Sequence, residues 1–394
     1  MVIIAIEVLA LENKICVYAI CKNELQFVDT WLDSMNEADY ICVLDTGSTD
    51  GTYEHFCELQ KSTYKDKLFV SQKEYEIWRF DVARNDSMEL IPEDANILVC
   101  TDLDEVFESG WAAQLRANWI EGFHKRCYYA YTWSHDEYGN NGRTFTYDKI
   151  HSRDWYWKFP VHETLCQKET EIICSDNVES LNLFNTIHLH HHPDMSKSRG
   201  SYLPLLELRK KEYPDDWYGR IYLAHEYYYR GLYAYSINEL KDIINNNWDN
   251  MSSVERASCY LFMGDSYFAI EEYQDALGAY WSSIVADKTY REPYIAMARV
   301  FEHKKQWDSD IFILMMGIEN SFRHYSWLER DNSWTFELWD MLSIACYNVG
   351  AYDRGILAAA KALSYEPNNK RLQDNLQWHL KMFTDKQLGD KIGG

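Results

Sequence analysis

Four aromatic residues in the second half of the chain, Tyr227, Tyr267, Phe301 and Tyr347, recur at intervals of 40, 34 and 46 positions, each inside a copy of one local pattern. Ala224, Tyr227, Gly231, Tyr233 and Ile237 return in kind as Gly264, Tyr267, Tyr273, Ala276 and Leu277. They return again as Ala298, Phe301 and Trp307, and a fourth time as Ile344, Tyr347, Gly350, Tyr352 and Ile356. In the first three copies a small residue, and in the fourth Ile344, precedes the aromatic at helical spacing, which puts both on one helix face. A pair of helices cannot bury its apolar face alone, and about three or more pairs must stack to do so. Residues 199–394 are therefore expected to form an all-α solenoid, with a generic helical bundle as the plainer alternative.

The first half reads differently. ICVYAI (15–20), ICVLD (41–45) and LFVSQ (68–72) are short apolar runs bounded by polar and turn residues, as buried parallel strands are. Helical spacing lies between the first two, and again over about 53–60 and 82–90. NILVCTDLDE (96–105) reads as a strand running into an acidic turn. Strands alternating with helices predict an open α/β sheet. From about 127 onward, YYAYTW, RTFTYDKIHS, WYWKFPVHETL and LFNTIHLHHH have the β-former density of antiparallel hairpins. The boundary is placed in PDMSKSRGSYLP, giving domains 1–198 and 199–394.

Composition narrows the function classes. A formal net charge of -23 argues against a nucleic-acid or anionic-membrane surface, which needs a basic patch. No run reaches the roughly 18 apolar residues of a membrane span. The opening MVIIAIEVLA lacks a basic leader and a cleavage site, so it is read as a first strand or packed segment. Ten cysteines without a C-x-x-C pair suggest reduced, mostly buried thiols and a cytoplasmic setting.

The chemistry lies in TDLDE. Asp102 and Asp104 flank Leu103 at the end of an apolar strand, where an extended backbone points both carboxylates to one side. Such a pair can hold a hard divalent cation, Mg²⁺ or Mn²⁺, against a diphosphate. Alone, D-x-D is a weak signal, and a solvated acidic turn is its bland reading. Position beyond a buried strand improves it, because open α/β sheets bind ligands outside the carboxyl ends of their strands.

The order YAICKNE (18–24), VLDTGSTDGT (43–52), WRFDVARND (78–86), LVCTDLDE (98–105) and VHE (161–163) resembles the family-2 glycosyltransferases of GT-A fold. It is most similar to the subgroup with C-terminal tetratricopeptide repeats, which includes bacteriocin and other protein glycosyltransferases. The resemblance implies a Rossmann-like mixed-sheet GT-A domain followed by a tetratricopeptide-like solenoid. It implies a UDP-sugar donor, a hexose or N-acetylhexosamine, with Mn²⁺ or Mg²⁺ as cofactor and inversion at the anomeric carbon.

Carried over by position, the resemblance gives these roles. Ala19, Ile20 and Asn23 flank the nucleoside, and Asp45 accepts from the base or ribose, its plainer role being to cap the Gly47–Gly51 turn. Arg84 and Asn85 match the family's A-R-N, the arginine pairing with acidic neighbours or the diphosphate. Asp102 and Leu103 lie against the nucleotide, and Asp102 also reaches the metal through water. Asp104 ligates the metal directly, helped by His190 or His191 from the run His188, His190, His191, His192. Lys197 and Arg199 contact the leaving diphosphate. Glu163, beside His162, is the candidate base, with Glu105 as its rival; the alternative is that Glu163 only orients His162 or an arginine.

The expected partners are the nucleotide sugar and a protein, peptide or saccharide acceptor held partly by the repeats, with a homodimer through the repeats left open. The competing function is a non-catalytic repeat scaffold that binds a protein partner. A nucleotidyltransferase is disfavoured, because CKNEL after the first strand has no glycine and one lysine.

Overall fold

The structure is a computed structural model that describes residues 13–120, 126–135, 142–169, 171, 180–194, 200, 202–324 and 326–392. The opening apolar segment, Lys197 and Arg199 lie outside the described residues. The chain divides into two compact units, Met1–Arg209 and Lys210–Gly394.

The first unit runs β1 (Ile15–Cys21), α1 (Val28–Met35), β2 (Tyr40–Asp45), α2 (Thr52–Lys61), β3 (Leu68–Gln72), α3 (Phe80–Met88) and β4 (Ile97–Cys100). It continues with β5 (Glu105–Phe107), α4 (Trp111–Asn118), β6 (Arg126–Thr132), β7 (Thr144–His151), β8 (Trp155–Lys158), β9 (Thr164–Gln167), β10 (Ser180–Asn182) and β11 (His188–His191). The main sheet is mixed and nine-stranded, in the order β3-β2-β1-β4-β7-β6-β11-β5, with β10 also on β6. Pairing is parallel from β3 to β4 and antiparallel where β7 meets β4 and β6.

β1 is buried along its whole length because both faces of the sheet are covered. Ile15, Val17, Ala19 and Cys21 pack with Ile41, Val43, Ile97 and Val99 against Trp31, Leu32, Phe56, Trp111 and Leu115 of α1, α2 and α4. The alternate residues Cys16, Tyr18, Cys42, Leu98 and Cys100 face Trp155, Trp157 and Leu165 of the β8–β9 hairpin, with Met88 of α3 beside them. All nine described cysteines are free thiols, and all but Cys57 are buried.

The expected hairpins form at β6–β7 and β8–β9. LFNTIHLHHH does not make one: β11 lies parallel to β6 and antiparallel to β5. The short strand EVF, of which sequence placed only Glu105 in an acidic turn, takes the free edge of β11 and so joins the D-x-D turn to the histidine run.

The second unit is a tetratricopeptide-like solenoid. After α5 (Tyr202–Glu212), which straddles the division, come four hairpins. They are α6 (Trp217–Tyr229) with α7 (Tyr233–Asn247), α8 (Ser253–Ala269) with α9 (Tyr273–Ala286), α10 (Glu292–His303) with α11 (Trp307–Asn320), and α12 (Glu337–Asn348) with α13 (Tyr352–Tyr365). α14 (Lys370–Ile392) follows. Among the described residues no helix is long and apolar enough to cross a membrane.

Each hairpin turns the same way. Gly231, Glu271, Lys305 and Gly350 have φ of 73°, 65°, 55° and 74°. One residue later an amide closes back five residues: Leu232 to the Tyr227 carbonyl, Glu272 to Tyr267, Gln306 to Phe301 and Ala351 to Cys346, at 2.8, 2.9, 2.8 and 2.9 Å. This is the left-handed helix cap that satisfies terminal carbonyls.

Small residues mark where helices touch. A Cβ added at Gly264 would lie 2.5 Å from the ring of Tyr280, which is itself buried and donates to Asp265 Oδ1 at 2.8 Å. The ring is held at both ends, so it cannot yield. Gly264→Ala is expected to destabilise the repeat unit by about 1–3 kcal/mol, the usual cost of overpacking, read as a lower Tm for that unit.

Candidate functional site

The carboxyl ends of β1, β2, β3 and β4 converge, as the parallel pairing requires. Beyond β1, β2 and β3 lies an open cleft of about 380 Å³ lined by Lys22, Thr46, Gly47, Glu74, Tyr75 and Trp78. The Tyr75 and Trp78 rings meet edge to face at 5.8 Å. This is where a parallel α/β sheet offers its ligand crevice.

The cleft's floor is a stiffened turn. Asp45 Oδ1 accepts from the Gly47 and Ser48 amides and from Gln72 Nε2, each at 2.9 Å. Burial pushes the Asp45 carboxyl up, but the hydrogen bonds from Ser48 and Gln72 outweigh it and hold it below the ordinary value. Asp45 has no exposed surface, so the expected contact with base or ribose is corrected: it caps the turn, the plainer of its two roles. Asn23, at φ 55°, accepts the Thr49 amide at 2.7 Å, while its own amide donates to Ser48 Oγ at 2.8 Å. Ala19, Ile20 and Leu103 are buried, at 0, 7 and 1 % exposure, and Leu103 belongs to the core below the sheet. Their side chains make no ligand surface.

Beyond β4 the charges form a chain. Arg84 of α3 is buried, its Nε paired with Glu163 Oε1 and its Nη2 with Asp102 Oδ1 at 2.8 Å. Its Nη1 donates to Cys100 Sγ at 3.1 Å, and its guanidinium lies 5.4 Å from the centre of the Trp157 ring. Lys149 of β7 donates to Asp102 Oδ2 at 3.2 Å and lies 3.8 Å from Glu105 Oε1. Burial raises the Asp102 carboxyl, yet the Arg84 and Lys149 cations dominate and hold it far below the usual carboxylate range. Asp102 is thus an anion anchored by two cations. Each of its oxygens is paired with one of these cations, which leaves it positioned rather than free.

The two proposed bases are each engaged by neighbours. Glu105 is 1 % exposed, accepts the Asp102 amide at 2.9 Å and is raised by burial, so it braces the turn from inside. Burial raises Glu163 too, but Arg84 beside it wins and holds the carboxyl below its ordinary value. A carboxylate so stabilised is a weak base, and Glu163 orients the arginine, the alternative weighed from sequence. The His162 backbone is left-handed at φ 48°, and its carbonyl accepts from Arg209 Nη1 at 2.8 Å. Asn85 grips the β8 backbone both ways, donating to the Trp157 carbonyl at 2.7 Å and accepting its amide at 2.8 Å. It fastens the hairpin rather than contacting a ligand.

Asp104 meets two residues of the histidine run, one through its side chain and one through its carbonyl. His191 Nε2 lies 3.4 Å from Asp104 Oδ2, and the His192 amide donates to the Asp104 carbonyl at 2.7 Å. His191 Nδ1 is 3.1 Å from the Trp133 carbonyl, which can only accept, so that nitrogen carries the proton and Nε2 presents its lone pair toward Asp104 when the ring is neutral. Burial lowers the His191 ring and the hydrogen bond to Asp104 raises it, with a net rise. His190 is corrected: it alternates to the other face of β11, with Nε2 2.9 Å from Glu108 Oε1.

Lys149 was missed from sequence. It sits in RTFTYDKIHS, which reads as an ordinary hairpin strand, and only the pairing of β7 with β4 carries it beneath Asp102. Its alternation with Tyr147 and His151 was the one available signal. A second concavity, about 530 Å³, lies in the repeat unit between Ile311, Phe312, Met315, Met316 and Val349, rimmed by charged Asp308, Glu319 and Arg354.

No family model matches the sequence, and no curated protein matches it at a significant level. Among solved structures the chain is similar to a thermophilic TPR protein of Thermus thermophilus, at 18% identity over 45% of this chain and 88% of that one, with a TM-score of 0.33. It is similar to MamA at 18% identity, over 46% and 99% of the two chains, TM-score 0.35. It is also similar to YrrB, described as a TPR protein with an unusual peptide-binding site, at 14% identity over 46% and 84%, TM-score 0.36. The repeat assignment rests on the four hairpins themselves.

Proposed function

We propose that the first unit transfers a sugar from a nucleotide sugar, as the GT-A resemblance implies, and that the repeats recruit a protein or peptide acceptor. The observation that carries this reading is the set of charges beyond the parallel strands. Asp104 Oδ2 and His191 Nε2, which offers a lone pair once the ring loses its proton, are 3.4 Å apart, close to the ~3 Å between neighbouring ligands on a small divalent cation. Asp102 stands beside them, fixed as an anion by Arg84 and Lys149.

Asp104 and His191 would hold Mn²⁺ or Mg²⁺, which supplies charge neutralisation for a departing diphosphate. The chain's own residues do the rest. The turn capped by Asp45 and Asn23 shapes the nucleoside cleft, where Tyr75 and Trp78 offer aromatic surface to a base and Glu74 and Lys22 offer polar edges. Arg84 keeps Asp102 ionised and immobile at the metal's edge.

The second reading, a repeat scaffold without catalysis, draws on the solenoid and its apolar groove, since helical-hairpin arrays commonly present such surfaces to peptides. The known-structure comparisons speak for repeats and not for sugar transfer; the charge arrangement is the reason for putting the transferase first.

The two readings separate in one thermal-shift panel of UDP-, GDP- and dTDP-sugars with and without Mn²⁺. The transferase reading expects one base to raise the first unit's Tm by several degrees only when Mn²⁺ is present, with the shift absent in Asp104→Asn. A flat panel in the wild-type chain leaves the scaffold reading standing alone.

A further inference from the structure

The histidine run has a second face. On β11, His188 and His190 alternate away from Leu189 and His191. The antiparallel register with β5 sets Val106 opposite His190, and the Glu108 amide donates to the His188 carbonyl at 3.0 Å. Glu108 is thereby carried to the histidines' side of the sheet edge. Its Oε1 lies 3.4 Å from His188 Nδ1 and 2.9 Å from His190 Nε2. Among the described residues this is the one group of three whose candidate ligand atoms all lie within 4.8 Å of one another.

The spacing is that of ligands on a single ion. Imidazole nitrogens and carboxylate oxygens bind Zn²⁺ at about 2.0–2.2 Å, which sets neighbouring ligand atoms of a tetrahedron about 3.3 Å apart. The far nitrogens are also engaged as metal-bound histidines require. His188 Nε2 lies 2.7 Å from Thr132 Oγ1, which lies 2.9 Å from Thr144 Oγ1, so a proton on Nε2 has an acceptor and the hydroxyl can pass its own onward. His190 Nδ1 lies 3.2 Å from His135 Nε2, and the two rings stack with centroids 5.4 Å apart. Thr132 Oγ1 and His135 Nε2 can each accept the proton of the far nitrogen, which leaves the nitrogen facing Glu108 available to an ion.

We infer that Glu108, His188 and His190 form a second divalent-cation site, selective for borderline ions such as Zn²⁺, on the opposite face of β11 from Asp104 and His191. Two imidazoles and one carboxylate suit Zn²⁺ or Co²⁺ better than Mg²⁺, which prefers oxygen. Bridging β11 to the residue just past β5, the ion would clamp the edge strand β5 to β11, the strand that delivers His191. The site does not depend on what the first unit does with its ligand.

The test uses the full chain, stripped with EDTA and dialysed. Zn²⁺ is titrated by calorimetry and Co²⁺ by its visible absorption, in wild type, Asp104→Asn, Glu108→Gln and His190→Gln. One Zn²⁺ site with a dissociation constant on the order of micromolar is expected in wild type and in Asp104→Asn. It should weaken at least tenfold in the other two variants. Saturating Zn²⁺ should raise the wild-type Tm by a few degrees and leave Glu108→Gln unmoved. Glu108 is an exposed side chain, so its variant folds regardless, and the metal-free Tm checks this. Equal Zn²⁺ affinity in wild type, Glu108→Gln and His190→Gln overturns the assignment, as does loss of the site in Asp104→Asn alone or its absence in wild type.

Discussion

Replacing Arg84 with methionine should destabilise the sheet unit by about 3–5 kcal/mol at pH 7, the range for removing one partner of a buried ion pair. Methionine keeps much of the side-chain volume, so the loss is electrostatic. Arg84 is 3 % exposed and neutralises Glu163, which is itself nearly buried, and one oxygen of Asp102. Lys149 remains for Asp102, whereas Glu163 would keep no other ion pair among the described residues. Glu163 should then take up a proton at a higher pH. Its depressed carboxyl contributes stability that is present above the unfolded value and lost as pH falls through the folded one. The variant should lack that part of the acid dependence. Calorimetric unfolding of wild type, Arg84→Met and Arg84→Met/Glu163→Gln checks the account. The double variant should recover part of the loss, and a double variant as unstable as the sum of two singles would mean that the ion pair is not the cause.

The repeat unit should become more stable on acidification from pH 8 toward pH 5, through Glu292 and Asp310. Burial pushes each carboxyl up to about 7, Asp310 with help from Glu302. Both are nearly inaccessible, and among the described residues Glu292 Oε2 and Asp310 Oδ1 have no hydrogen-bond partner. An acid raised on folding binds more protons in the folded state between its two values. Stability therefore falls as pH climbs from about 4 through 7, and the full cost stands above that window. The cost is about 3–4 kcal/mol for each group at pH 8. Glu292→Gln and Asp310→Asn should each raise the unit's Tm at pH 8 and flatten its slope. His379, lowered by burial, titrates the opposite way below about 6.5, so the variants rather than the raw slope carry the comparison. Unchanged Tm in both variants at pH 8 would mean these carboxyls are solvated.

What could be read from the sequence was whatever depended on local period. The spacing of Tyr227, Tyr267, Phe301 and Tyr347 located four helical hairpins, because the helix repeat and the cap at Gly231 and Gly350 are written in neighbouring residues. The apolar runs of β1 to β4 were equally plain, since a strand covered on both faces must be apolar throughout. The candidate site was legible only in part. Asp104 and a histidine of the run did meet, but sequence could not choose between His190 and His191.

Tertiary structure made that choice through one register. β11 pairs with β5 so that His191 stands opposite Glu105 and His190 opposite Val106, and a slip of one residue would exchange the two faces. In the same way, β7 beside β4 brought Lys149 under Asp102, and α3 brought Arg84 between Asp102 and Glu163. The partners of Asp45, Glu105, Glu163 and Asn85 could not be read from motif, because a polar side chain's partner is set by what packs against it, often many dozens of residues away. The sequence by itself determined which segments are strands and which are stacked helices, since hydrophobic period acts over a few residues. Which charges touch was decided only when the sheet assembled, because ion pairing depends on distance in space and not along the chain.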